Sequence, residues 1–91
     1  ANAYLGAEPI VEALKGGADI VITGRVADPS LTVACAQFHF GWDSNDYDKI
    51  AQATVAGHLI ECGAQVSGGL MDDWLDSYPE KMRYPIVEMF K

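Results

Sequence analysis

The predicted architecture depends on residues 16–24, which read GGADIVITG. The two glycines are suited to ending a helix, because glycine adopts the left-handed conformation of helix C-termini at little cost. Residues 20–22 are consecutive β-branched side chains, and such a run is typical of a strand covered on both faces. Residues 85–90, PIVEMF, are typical of another strand. A helix, a glycine turn and a buried strand in this order predict an α/β fold of parallel-sheet βα units.

Helical patterns occupy most of the remaining sequence. A short helix precedes the double glycine, and a second is predicted over about residues 29–40 with Asp28 as its cap. A third helix is predicted from a cap at Ser44 or Asn45 to about Cys62. The second and third patterns carry apolar residues nearly all round. They therefore predict largely buried helices.

The high apolar content favours a segment that packs inside a larger protein or assembly. The chain has 91 residues, of which 49% are hydrophobic, and residues 29–42 contain no charged side chain. A chain of this length alone supports one small domain with a marginal core. We therefore expect residues 1–91 to be a single partial domain, incomplete at both ends and packed against the rest of its own domain or against another subunit.

Charge and cysteine content restrict the class of protein. With 13 acidic and 6 basic residues the formal charge is −7, which disfavours binding to nucleic acid or to anionic membranes. No uncharged run reaches the roughly 20 residues that a membrane-spanning helix needs. Cys35 and Cys62 are expected to be free, buried thiols, as is usual in a reducing compartment. These features together predict a cytoplasmic protein.

The first candidate site is residues 23–30, TGRVADPS, between the predicted strand and the second helix. Ligands of open parallel sheets bind at the carboxyl ends of strands, and helix N-termini offer free N–H groups to anions. The guanidinium of Arg25 could there clamp a carboxylate or a phosphate, with Asp28 beside it. The alternative is that Arg25 only pairs with Asp28 and fixes the loop. The spacing matches neither the P-loop nor the dinucleotide-binding motif.

The second candidate site is residues 57–69, GHLIECGAQVSGG. His58, Glu61 and Cys62 are spaced i, i+3 and i+4, so they share one face of a helix. His58 could act as a general base, with Glu61 orienting it or acting as an acid, and Cys62 could be a nucleophile. The alternative is a buried histidine bonded to a backbone carbonyl beside a small core cysteine. A zinc site would need a further ligand or an open position, so no metal is assigned from the sequence.

Two further features of the sequence could hold ligands. Gln65, Gly68 and Gly69 form a plausible ligand loop, although the glycines would equally serve a tight turn after the helix. Three acidic residues, Asp72, Asp73 and Asp76, could hold a divalent cation, but their spacing does not match an EF-hand and favours a solvated loop. The ligand candidates are therefore Arg25, Asp28, Gln65, Gly68 and Gly69, and the catalytic candidates are His58 and Glu61.

Three blocks of sequence resemble a known family. Residues 1–7 (ANAYLGA), 20–28 (IVITGRVAD) and 57–69 are similar, in this order, to the N-terminal domain of proteins of the acyclic terpene utilisation (AtuA-like) family. The likeness covers residues 1 to about 70 and, more loosely, residues 84–88.

The resemblance implies a role in the breakdown of acyclic terpenoids such as citronellol and geraniol, or of related branched-chain acids, through acyl-CoA intermediates. It implies no particular reaction or cofactor, and whether the chain is an enzyme stays open. The expected partner is a small carboxylate or an acyl-CoA. The competing hypothesis is a non-catalytic binding or assembly domain.

Overall fold

The computed structural model describes residues 3–72 and 79–91, in which the regular structure is helical. The elements are the helices α1 (Glu8–Lys15), α2 (Ser30–Phe40) and α3 (Tyr47–Cys62), followed by short 3₁₀ turns at Gly63–Ser67 and Pro79–Lys81. Helix α2 packs against both α1 and α3. The helices therefore form one layered packing with α2 in the middle.

Two small apolar clusters lie on either side of α2. Toward α1, Ala34 packs with Ile10 and Val11. Toward α3, the buried members are Val33, Ala36, Trp42 and Ala53, with Met89 packed on their edge. Alanines at the contacts allow the helix backbones to approach closely, so the core is made of small side chains around one tryptophan.

Helix α2 ends in a Schellman motif at Gly41. Gly41 has φ 68° and ψ 31°, in the left-handed region that favours glycine. Its N–H donates to the carbonyl of Phe38 at 3.4 Å, and the N–H of Trp42 donates to the carbonyl of Gln37 at 3.0 Å. These are the two bonds that define the motif. The turn directs the Trp42 ring back into the cluster with Ala36, where it stacks on Phe40.

The start of the chain is tied to the connection between α1 and α2. Leu5 and Val26 form an isolated parallel bridge, in which the N–H of Ala27 donates to the carbonyl of Leu5 at 2.8 Å. This pairing holds the segment before α1 alongside the segment before α2. It therefore fixes the position of residues 23–28, the first candidate site.

The predicted α/β fold is wrong. In the parts of the chain that are described, strand-type pairing is limited to the Leu5–Val26 bridge, and residues 20–22 and 85–90 form no strand. Ile20 and Ile22 are 82% and 93% exposed rather than covered on both faces. A strand depends on a neighbour that accepts and donates its ladder hydrogen bonds, and residues 20–22 lie beside none here. Their β-branched composition was therefore not sufficient evidence for a sheet.

The prediction of largely buried helices is also wrong. Leu31 and Phe38 on α2, and Tyr47 and Val55 on α3, are exposed. With a single neighbouring helix on each side, α2 buries only the positions that face α1 or α3. Because α2 has apolar residues on nearly every face, those on its other faces remain at the surface.

Several local predictions also have a structural outcome. Asp28 does not cap α2, since Pro29 precedes the helix and no side-chain cap bond forms. Helix α3 begins after Asp46, one or two residues later than predicted from a cap at Ser44 or Asn45. Both cysteines are free, as predicted, but Cys35 is exposed rather than buried.

Of the three acidic residues considered as a cation site, Asp73 and Asp76 lie outside the described residues. The described helices include none with the length and apolar character needed to cross a membrane.

Candidate functional site

Arg25 lies at the surface between Tyr4 and Asp28. Its guanidinium carbon is 4.6 Å from the centre of the Tyr4 ring, within the range of a cation–π contact. One terminal nitrogen is 3.4 Å from a carboxylate oxygen of Asp28, and both side chains are about half exposed, at 56% and 44%. The ion pair considered from the sequence is thus present. An exposed pair of this kind is weak, so a ligand can compete for the guanidinium.

Most of the surroundings of Arg25 favour its charge, although desolvation acts against it. Interaction with Tyr4, by hydrogen bonding and by charge, is the largest cause that raises the pKa of Arg25, followed by the carboxylate of Asp28. Glu61 adds a smaller attraction from α3. The side chain is therefore a permanent cation.

The contact between Gly57 and Pro29 brings the two candidate sites together. A Cβ placed on Gly57 would lie 2.8 Å from the carbonyl oxygen of Pro29 and 2.9 Å from its Cβ. Helix α3 therefore packs directly on the backbone that precedes α2. This close approach places the last turn of α3 on the same side of the molecule as Arg25 and Asp28.

His58, Glu61 and Cys62 form a compact cluster on this last turn. The Cys62 sulfur is 3.8 Å from both ring nitrogens of His58, and its thiol donates a hydrogen bond to Glu61 Oε2 over 3.6 Å. One ligand atom from each side chain lies within 4.8 Å of the others. His58 and Glu61 are exposed and Cys62 is half-buried. His58 is therefore not the buried core histidine of the alternative interpretation.

The electrostatics of the cluster disfavour a free thiolate. Burial is the first cause that raises the pKa of the Cys62 thiol, followed by its hydrogen bond to Glu61 and the negative charges of Glu61 and Asp28. Reactive cysteines have a lowered pKa, which comes from nearby positive charge. The arrangement is thus unlike that of a nucleophilic cysteine.

The predicted ligand loop follows α3 as a 3₁₀ turn. The N–H groups of Gly68 and Gly69 donate to the carbonyls of Gln65 and Ala64, at 3.1 and 2.9 Å. Gln65 itself is exposed. Because these two N–H groups bond to carbonyls of the 3₁₀ turn, they are not directed at a ligand in this arrangement.

An apolar groove of about 490 Å³ opens beside Arg25, a volume in the usual range for small-molecule sites. Its walls come from α1, from Leu5 and from the extended segment between α1 and α2. Among the described lining residues Arg25 is the one charged side chain; the others that define the walls are Pro9, Ile10, Ala13, Val21, Ile22 and Val26. The groove is therefore mainly apolar, and Arg25 is the one charged residue among its described lining.

Sequence reasoning found Arg25 but missed the groove and Tyr4. Tyr4 is 21 positions from Arg25 in the sequence, and the two meet only because the Leu5–Val26 bridge aligns their backbones. No local sequence pattern around Tyr4 predicts its contact with Arg25. The surplus of apolar residues in segment 20–26 was the available signal, but it was interpreted as strand burial.

The fold and the site define a small helical protein region with an exposed cation beside an apolar groove and a His–Glu–Cys cluster. The model of the family described as acyclic terpene utilisation family protein AtuA matches residues 1–91. The chain belongs to this family, whose name associates it with the use of acyclic terpenes. No curated protein and no solved structure matches the chain.

Proposed function

We propose that the groove beside Arg25 binds a branched, apolar carboxylate of the kind formed when acyclic terpenoids are degraded. The observation that carries the proposal is that Arg25 is the one charged residue among the described lining of a mainly apolar groove of about 490 Å³, with its guanidinium exposed beside Tyr4 and Asp28. A carboxylate would take bidentate hydrogen bonds from Arg25, displacing the exposed ion pair with Asp28. The hydrocarbon chain would lie against Ile10, Val21 and Ile22.

The neighbouring groove is less suited to this ligand. It measures about 510 Å³ and runs between the starts of α1 and α2. Its described lining includes the acidic Glu8 and the polar Gln37 and Ser44, and no basic side chain. A carboxylate would be repelled there, so the groove beside Arg25 is preferred.

The charge of the groove also favours a free acid over its acyl-CoA thioester. Coenzyme A carries several phosphate charges, which proteins usually meet with several basic groups or helix N-termini. Arg25 is one cation, next to Asp28 and within the influence of Glu61. We therefore propose the carboxylate as the ligand and treat the thioester as the competing ligand in the test.

The test compares binding of citronellate and of citronellol, which share a carbon skeleton and differ in charge, by titration calorimetry. Arg25→Gln is expected to weaken citronellate binding at least about tenfold, since a hydrogen bond between charged groups is lost, and to leave citronellol binding unchanged. Arg25→Lys should recover part of the affinity. Arg83→Gln, at the other arginine, is the matched control. Equal citronellate affinity in Arg25→Gln and the unchanged protein contradicts the proposal, as does tighter binding of citronellyl-CoA.

The second candidate function is a non-catalytic assembly role, and the exposed apolar residues favour it. Ile20 and Ile22 are exposed, and so are Ile86 and Phe90. In this role they would pack against other polypeptide, in its own protein or in another subunit. Absence of citronellate binding together with concentration-dependent self-association in sedimentation experiments would favour assembly over ligand binding.

A further inference from the structure

The strongest unassigned feature is the His58–Glu61–Cys62 cluster, which the carboxylate proposal does not use. Its three side chains present an imidazole nitrogen, a carboxylate oxygen and a thiol sulfur within 4.8 Å of one another. The spacing i, i+3, i+4 keeps them on one face whenever α3 is formed. Helix formation alone therefore preorganises the cluster.

The separations that involve the Cys62 sulfur are close to those between two ligands of a tetrahedral metal ion, and all three ligand atoms lie within 4.8 Å. Zinc binds sulfur at about 2.3 Å and nitrogen or oxygen at about 2.0–2.2 Å, which places two ligand atoms about 3.6 Å apart. The sulfur of Cys62 is 3.8 Å from the ring nitrogens of His58 and 3.6 Å from Glu61 Oε2. His58 and Glu61 are exposed, so small rotations of their side chains can bring a nitrogen and an oxygen into place.

The charge around the cluster favours a cation. Glu61 contributes a carboxylate to the cluster itself, and the cluster lies at the C-terminal end of α3, where the helix dipole is negative. Arg25, the cation of the first candidate site, is already engaged with Tyr4 and Asp28. A bound divalent cation would compensate the remaining negative charge.

We propose that His58, Glu61 and Cys62 are three ligands of a zinc ion at the end of α3. A mixed sulfur, nitrogen and oxygen set selects zinc over magnesium and calcium, which prefer oxygen ligands alone. Three protein ligands leave a fourth position open to water or to a ligand from solution, as in catalytic zinc sites. The site is on the side of the molecule that carries Arg25, yet its existence does not depend on carboxylate binding in the groove.

The first experiment measures metal binding directly. The reduced protein is freed of metal with a chelator and titrated with Zn²⁺ and, separately, with Co²⁺ as a spectroscopic probe. We expect one saturable equivalent of each ion, a thiolate-to-cobalt charge-transfer band, and a melting temperature that rises with zinc because the ion binds the folded state. Absence of saturable binding for both ions overturns the proposal.

The second experiment assigns the ligands by substitution. Cys62→Ser should abolish the charge-transfer band and weaken zinc binding by at least about tenfold, and His58→Gln and Glu61→Gln should also weaken it. Cys35→Ser is the matched control, because Cys35 lies on α2 outside the cluster and should leave the band intact. A band that survives in Cys62→Ser, or that disappears equally in Cys35→Ser, contradicts the assignment.

Two further measurements distinguish loss of the metal site from unfolding and from loss of carboxylate binding. Far-ultraviolet circular dichroism should show the same helix content in each variant, and zinc should raise the melting temperature of Cys35→Ser but not of Cys62→Ser. Citronellate affinity of Cys62→Ser should equal that of the unchanged protein. Failure of the metal site is thereby distinguished from failure of the carboxylate site.

Discussion

At the scale of single residues, Gly57 controls how closely α3 approaches the loop before α2. It is buried in the middle of α3, and its Cα faces the backbone of Pro29. A residue inside a helix would ordinarily be better as alanine, because glycine lowers helix stability by roughly 0.5–1 kcal/mol. Here the space between the two backbones excludes even a methyl group.

We therefore predict that Gly57→Ala destabilises the protein, against the usual effect of this substitution in a helix. The added Cβ would lie under 3.0 Å from backbone and Cβ atoms of Pro29, which forces α3 outward. Overpacking of this type costs roughly 1–3 kcal/mol and exceeds the gain in helix propensity, so urea unfolding should show a net loss of about 1 kcal/mol. Gly6→Ala is the control, since its Cβ would meet nothing within 4 Å. Equal stability of the two variants would refute the close contact.

The candidate site was predictable only as far as its residues are neighbours in sequence. The pairing of Arg25 with Asp28 and the shared face of His58, Glu61 and Cys62 both follow from spacings of three or four residues. The approach of these two groups depends on the Gly57–Pro29 contact, which joins positions 28 residues apart. No local pattern specifies such a contact.

At the scale of elements, helices were predicted well and strands were not, for a physical reason. A helix satisfies its own backbone hydrogen bonds, and the glycines that directly follow α1, α2 and α3 mark its end in the local sequence, although none of the three helices has a side-chain cap bond. A strand is completed by another segment. The run at residues 20–22 has the composition of a strand, but in the described structure the adjacent backbone pairing is confined to Val26 with Leu5.

The end of α2 provides a prediction at this scale. Gly41 is left-handed with open space around its Cα, so replacing it isolates the backbone cost of the Schellman motif. Gly41→Ala should lower the free energy of unfolding by roughly 1–2 kcal/mol, and Gly41→Asn should cost less, since asparagine tolerates this conformation. Urea denaturation monitored by circular dichroism would give the free energy of unfolding of each variant and so rank their stabilities. An asparagine variant no more stable than the alanine variant would contradict it.

At the scale of the whole molecule, the buried core and the most apolar run of the sequence lie in different places. The buried clusters are built on α1, α2 and α3, with Ile10 and Val11 on one side of α2 and Trp42 on the other. The most strongly apolar run of the sequence, residues 20–22, lies largely outside them. The surface therefore carries aliphatic side chains that contribute to the groove rather than to the core.

Two isoleucines allow a direct test of this separation. Ile10 is 5% exposed within the cluster between α1 and α2, whereas Ile22 is 93% exposed on the groove. Ile10→Ala removes buried methyl groups and should lower the free energy of unfolding by about 2–4 kcal/mol. Ile22→Ala, the same chemical change at an exposed position, should alter it by no more than about 0.5 kcal/mol while weakening citronellate binding. The two values come from urea unfolding monitored by far-ultraviolet circular dichroism. If Ile22→Ala cost as much as Ile10→Ala, residues 20–22 would belong to the core and the helical packing described above would be incorrect.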